Sequence, residues 1–148
     1  MPVSTKTNTK LVTVNHRQES GGFTLSVPDL KISPAGVLLT FDKVYTESET
    51  NDLLTQYIDF KVVDDAGNEL AFQTGDSFGE TVDGQMHWSD SGLYDPIKDK
   101  VKTLTITPYM TIPRSLTEMD EEDNEVEIDI KRYRDKGITF DSFTVEIP

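Results

Sequence analysis

The chain has 148 residues, enough for one buried core and short for two. Its 27 acidic against 14 basic residues leave a net charge of −13, which opposes unassisted binding to nucleic acid or to an anionic membrane and leaves cations and basic partners open. Cysteine is absent, so disulfides, thiolate metal sites and cysteine nucleophiles are excluded together.

Met1 to Lys10 is polar and threonine-rich and reads as a lead-in or linker, without the apolar centre of a signal peptide. Residues 11–148 are expected to form a single domain. Leu11 to His16 is a short strand candidate, with Val12 and Val14 on one face. Phe23 to Ser33 alternates through Phe23, Leu25 and Val27, crosses Pro28, and resumes at Leu30 and Ile32. A proline there demands an edge position or a bulge, because it has no N–H for the ladder.

Ser33-Pro34-Ala35-Gly36 reads as a turn. Val37 to Tyr45 then turns Val37, Leu39 and Phe41 inward. The polar connection Thr46 to Thr55 has room for one helical turn capped by Ser48. Tyr57 to Val63 carries Ile58, Phe60 and Val62 on one face, and Glu69 to Gln73 offers Leu70 and Phe72 to match them. Asp64-Asp65-Ala66-Gly67-Asn68 forms the hairpin between.

Glycine-rich Gly75 to Gly84 reads as a loop, Gln85 to Ser89 as a weaker strand bearing Met86 and Trp88, and Asp90 to Asp99 as another loop. Val101 to Pro113 has the clearest alternation in the chain. Leu104, Ile106, Pro108, Met110 and Ile112 face one way, with threonines and Tyr109 facing the other. Pro108 again predicts a bulge or an edge. After the acidic run come Val126, Ile128 and Ile130, a turn at Arg132 to Gly137, and a closing strand from Ile138 to Ile147. Eight or nine short strands with no alternating helices predict an all-β fold, an antiparallel immunoglobulin-like β-sandwich.

Few residues carry a chemical suggestion. Trp88 and Tyr109 are candidates for a binding surface, since aromatic side chains on polar faces can hold a partner. His87, Ser89 and Asp90 contain the residue types of a hydrolytic triad. Triads are made by geometry and not by adjacency, and the plainer reading turns Trp88 to the core and His87 to water. Asp120, Glu121, Glu122 and Asp123 cluster the carboxylate oxygens that calcium prefers, without the spacing of an EF-hand. A solvated loop is the usual role of such a run.

Three stretches, GGFTLSVPDLKISPAGVLLTF, IDFKVVDDAGNEL and YDPIKDKVKTLTITPYMTIP, carry a family resemblance. The strand leading into Ser33-Pro34, the hairpin at Asp64 to Gly67 and the Leu104 to Tyr109 strand resemble the poorly characterised C-terminal ectodomain of Gram-positive membrane proteins similar to sigma-factor regulators. The resemblance spans roughly residues 20 to 115 and rests on structural motifs. It implies an extracellular domain that senses or binds a protein or cell-surface ligand, cut from a membrane-anchored regulator. With the residues offering no catalytic constellation or cofactor site and the charge opposing nucleic acid, the expectation is a non-catalytic domain with no cofactor and no nucleic-acid partner. The resemblance assigns no catalytic residue. The alternative expectation is a cell-wall or carbohydrate-binding module assisted by calcium at Asp120 to Asp123.

Overall fold

Alternating apolar residues become strands wherever one side can be buried, and here they do so on two facing sheets. The structure is a computed structural model that describes residues 9–111, 116–119, 121–128 and 139–148. Its strands are β1 (Lys10–Ser20), β2 (Phe23–Ser33), β3 (Gly36–Thr46), β4 (Ile58–Asp64), β5 (Phe72–Val82), β6 (Gln85–Tyr94), β7 (Thr103–Met110), β8 (Leu116–Met119), β9 (Glu125–Ile128) and β10 (Phe143–Glu146). A five-stranded antiparallel sheet runs β1-β2-β3-β6-β5, a three-stranded one runs β10-β7-β4, and β8 pairs with β9. The chain is an all-β sandwich, as its alternation predicts. Residues 1–8 of the lead-in, Ile112, Asp120, Ile130 and the turn at 132–137 lie outside the described residues.

The core lies between the two larger sheets. Phe23, Leu25, Val27 and Leu30 from β2 and Val37 and Leu39 from β3 meet Phe60 and Val62 from β4 and Leu104 and Ile106 from β7, all buried. Each such side chain contributes roughly 1.5–3 kcal/mol by leaving water. Leu104 and Ile106 are fully enclosed, while Thr103, Thr105 and Thr107 on the other face are half-exposed.

Both prolines are accommodated, in different ways. β2 is an interior strand, and the register with β3 shifts between Ser26 and Asp29, so Pro28 sits in a bulge. β7 is the middle strand of its sheet, yet β10 pairs with it only as far as Ile106, so Pro108 lies on a locally open edge. Leu70 N–H donates to the Val62 carbonyl and Tyr94 Oη to the Phe60 carbonyl, so these backbone groups of β4 point away from β7. Phe60 faces Pro108 without exchanging hydrogen bonds, and β10 has already ended opposite Ile106. The missing N–H of Pro108 therefore costs neither ladder a bond.

Three expected boundaries move. β1 continues past His16 to Ser20 through a bulge between Thr13 and His16, with Asn15 at φ 49°. Its polar inward residues dock on the opposite sheet: His16 stacks on Phe143 with centroids 3.8 Å apart, and Gln18 both donates to the Asp141 carbonyl and accepts from its N–H. Of residues 75–84, expected as a loop, 75–82 belong to β5 and only Asp83 and Gly84 form a turn, while β6 runs on through Asp90 to Tyr94. β5 shows no alternation because every residue in it but the half-buried Gly79 is exposed; its ladder to β6 holds it instead. The hairpin after β4 forms its turn, with Asp64 Oδ1 accepting from Ala66 N–H and Asn68 N–H. The Asn68 backbone N–H above all holds the Asp64 carboxyl below its ordinary value. The returning segment makes a single bridge, Val63 to Glu69, and then crosses to the other sheet, so Leu70 is buried while Phe72 is 60% exposed.

The polar connection folds as expected. Helix α1 (Glu49–Leu54) begins at Ser48, whose hydroxyl accepts from Asn51 N–H at 3.0 Å, and a 3-10 turn (Thr55–Tyr57) leads into β4. Ser48→Ala is expected to cost about 1 kcal/mol in chemical denaturation, the usual loss for an N-cap.

Candidate functional site

Five strands lie opposite three, so part of the larger sheet has no cover among the described residues. β10 lies over β1 through the His16–Phe143 stack, and β4 lies over β3 and β6 through the Phe41–Phe60 ring contact and the Tyr94–Phe60 hydrogen bond. Beyond β4, the inward face of β5 and half of β6 floor a cleft of about 1070 Å³. Leu70 and Phe72 close one end, Thr55 and Gln56 stand at the other, and Tyr109 forms part of the rim.

Small residues on β5 keep the cleft hollow. Its inward positions, Gly75, Ser77 and Gly79, pair with Gly92, Asp90 and Trp88 of β6. A Cβ at Gly79 would stand 2.7 Å from the Trp88 ring and 2.6 Å from the Met86 Cε, so glycine lets the indole lie flat across β5. The Phe72 ring lies likewise over Gly75 and Gly92 and meets Tyr94 edge-on at 5.6 Å.

The wall is a fixed polar relay. Trp88 Nε1–H donates to the Tyr45 hydroxyl at 3.0 Å, and that hydroxyl donates to Asp52 Oδ1 at 2.8 Å. Burial pushes the Tyr45 phenol up to about 12, against the smaller opposing effect of the Trp88 hydrogen bond. An alkaline ultraviolet titration should therefore show this phenol ionising near 12, and Trp88→Phe should move it higher. Because the folded value exceeds the unfolded one, the associated stability is whole below pH 10 and is lost as pH rises from 10 towards 12.

Below the relay lies a buried ion pair. Lys43 Nζ stands 3.0 Å from Asp90 Oδ2 and 3.4 Å from the Thr55 carbonyl, with the two side chains 10% and 4% exposed. Asp90 Oδ1 is buried without a hydrogen-bond partner among the described residues. Asp52, Asp59 and Glu69 also line the cleft, so acidic residues there outnumber its one lysine, and Asp76 borders it from β5 with its side chain on the strand's other face. Asp59, Glu69 and Asp76 make no salt bridge among the described residues.

Trp88 and Tyr109 come together on this cleft, although they lie on different sheets. Lys43 and Phe72 escape sequence reading of the site, and Asp90 is read there only as a member of a hydrolytic triad and not as the partner of Lys43. The available signal was charge at inward register: Lys43 follows Val37, Leu39 and Phe41 on β3, and Asp90 follows Met86 and Trp88 on β6. His87 and Ser89 point to the opposite face of β6 from Asp90, whose carboxylate is engaged by Lys43, so the three do not assemble as a triad. Glu121, Glu122 and Asp123 lie exposed in the turn between β8 and β9, with Asp123 at φ 62°, and Asp120 lies outside the described residues. Among the described residues no group of three or more histidine, aspartate or glutamate side chains is placed to hold a metal ion.

A model of a family of unknown function, DUF5643, matches residues 9–147. The chain belongs to that family. No curated protein matches it. The DUF5643 chain is similar in fold to a conserved domain protein from Bacillus anthracis, known from a crystal structure, with a TM-score of 0.54 and 16% identity. The match covers 95% of this chain and 50% of that one, so the DUF5643 domain spans about half the length of its structural neighbour. At that identity the likeness concerns the fold alone.

Proposed function

We propose that this DUF5643 domain is a non-catalytic sensing or protein-interaction module, displayed outside the cell by a membrane-anchored regulator. The observation that carries the reading is the cleft: a preformed, aromatic-walled concavity on the uncovered part of a rigid sandwich, with polar groups held in fixed positions. The cleft has the build of a recognition site, and the resemblance of the Ser33-Pro34, Asp64–Gly67 and Leu104–Tyr109 motifs to ectodomains supports the setting. A signal would require the partner to bind one arrangement of the parent protein better than another. The reading frame that contains this domain provides the test. A membrane helix or an export signal in the same frame is expected, and a complete frame with neither contradicts the account.

A cell-wall or carbohydrate-binding role is the second reading, favoured by Trp88, Phe72 and Tyr109 around one cleft. It predicts retention on wall polysaccharide, reduced by Trp88→Ala. Calcium at the acidic turn is a separable part of it: calcium should raise the melting temperature more than equal magnesium does, and equal shifts remove the metal from the account.

A further inference from the structure

Two features at the β5 side of the larger sheet remain unexplained by a self-contained sandwich. The strand ends its sheet among the described residues, and its eleven residues, FQTGDSFGETV, include no lysine, arginine or proline. Edge strands are ordinarily protected by such residues, by other charges or by bulges, and the only charges on β5 are the acids Asp76 and Glu80, which repel a second copy of the strand but not a basic one. Here the one register shift lies between Phe72 and Thr74, leaving the rest of the strand regular, with Phe78 67% exposed. The second feature is Asp90 Oδ1, a buried carboxylate oxygen with no partner among the described residues, on the strand next to that edge and facing the cleft. A buried acceptor left unpaired is costly, so a donor brought to it is favoured.

We infer that an extended, basic segment of a partner protein adds to β5 as a sixth strand and turns one lysine or arginine into the cleft towards Asp90. This rests on the reading of the domain as an interaction module and specifies its partner. Strand addition satisfies the unpaired backbone groups of the edge, and side chains at alternate positions select the partner. One face of the added strand would lie beside Ser77 and Gly79, where small residues leave room for a long side chain to pass. The other would lie beside Asp76 and Glu80.

Charge decides between this partner and a second copy of the chain. If two β5 strands paired antiparallel about Phe78, Asp76 of each would face Glu80 of the other, a repulsive cross-strand arrangement on both sides. The same acids attract a basic strand, and the net charge of −13 speeds its encounter.

The test uses the full chain and a blocked nine-residue peptide of lysine and valine, with glutamate and serine replacing lysine in two control peptides. Nuclear magnetic resonance should show slowed hydrogen exchange at alternate β5 amides and a shift of the Trp88 indole N–H when the lysine peptide is added. Asp90→Asn should weaken that binding at least fivefold. Because this change also disturbs Lys43, the exposed double variant Asp76→Lys, Glu80→Lys provides an independent check: it should lose the lysine peptide and take up the glutamate one. Four results overturn the inference: no binding of the lysine peptide at millimolar concentration, binding without β5 protection, equal binding of the serine peptide, or a dimer that protects β5 in the absence of peptide. None of these bears on the membrane helix or export signal expected in the reading frame, so the two accounts fail separately.

Discussion

Asp90→Ala is expected to lower the unfolding free energy by about 3–5 kcal/mol, the largest effect of any substitution in the cleft. The carboxylate it removes is the salt-bridge partner of Lys43, whose ammonium would stay buried beside only the Thr55 carbonyl. The size of the loss measures the stranded charge and not the worth of the pair. Replacing both partners with apolar residues of similar volume, Lys43→Met with Asp90→Leu, should recover most of the stability or exceed the wild type by about 1–4 kcal/mol. Urea denaturation of the two variants separates these cases. Near-equal losses in both would mean that the pair itself holds the fold together. Full recovery would mean that Lys43 and Asp90 are kept for what they do in the cleft.

Ile106→Ala should cost about 2–5 kcal/mol, since Ile106 is fully enclosed between the sheets and its truncation leaves a cavity. Thr105→Ala, one residue away on the opposite face of β7, should change stability by about 0.5 kcal/mol or less. The contrast tests the facing of the strand, because a slip of one residue would exchange the two outcomes. Ile106 also pairs with both Val62 and Phe143, so its loss is felt across all three strands of the smaller sheet.

What could be read from the sequence follows burial. β2, β3, β4 and β7 each bury one face, and their alternation placed Phe23, Leu39, Phe60 and Leu104 on the side where they lie. Ser48 was legible as a cap because its chemistry is local. β5 was not legible, because a strand exposed on both faces has no alternation to show, and its glycines read as loop when they in fact admit the rings of Phe72 and Trp88. The site was half legible for the same reason. Trp88 and Tyr109 stood out as aromatics on polar stretches, whereas Lys43 and Asp90 gain meaning only when β3 and β6 lie side by side and their charges meet at 3.0 Å. No local pattern records that meeting. The acidic run from 118 to 123 shows the reverse case: it is the most conspicuous feature of the chain, and Glu121, Glu122 and Asp123 are exposed turn residues.

The central claim is that the domain acts through the cleft and the β5 edge, and position-resolved photo-crosslinking in the source cell tests it most directly. A photoreactive residue would replace, in turn, Ser77 in the cleft, Lys61 on the outer face of β4 and Glu122 in the acidic turn. The account predicts a discrete protein adduct from Ser77, diminished by Asp76→Lys with Glu80→Lys, and none of that size from Lys61 or Glu122. An adduct that forms from Lys61 or Glu122 and not from Ser77 would contradict it.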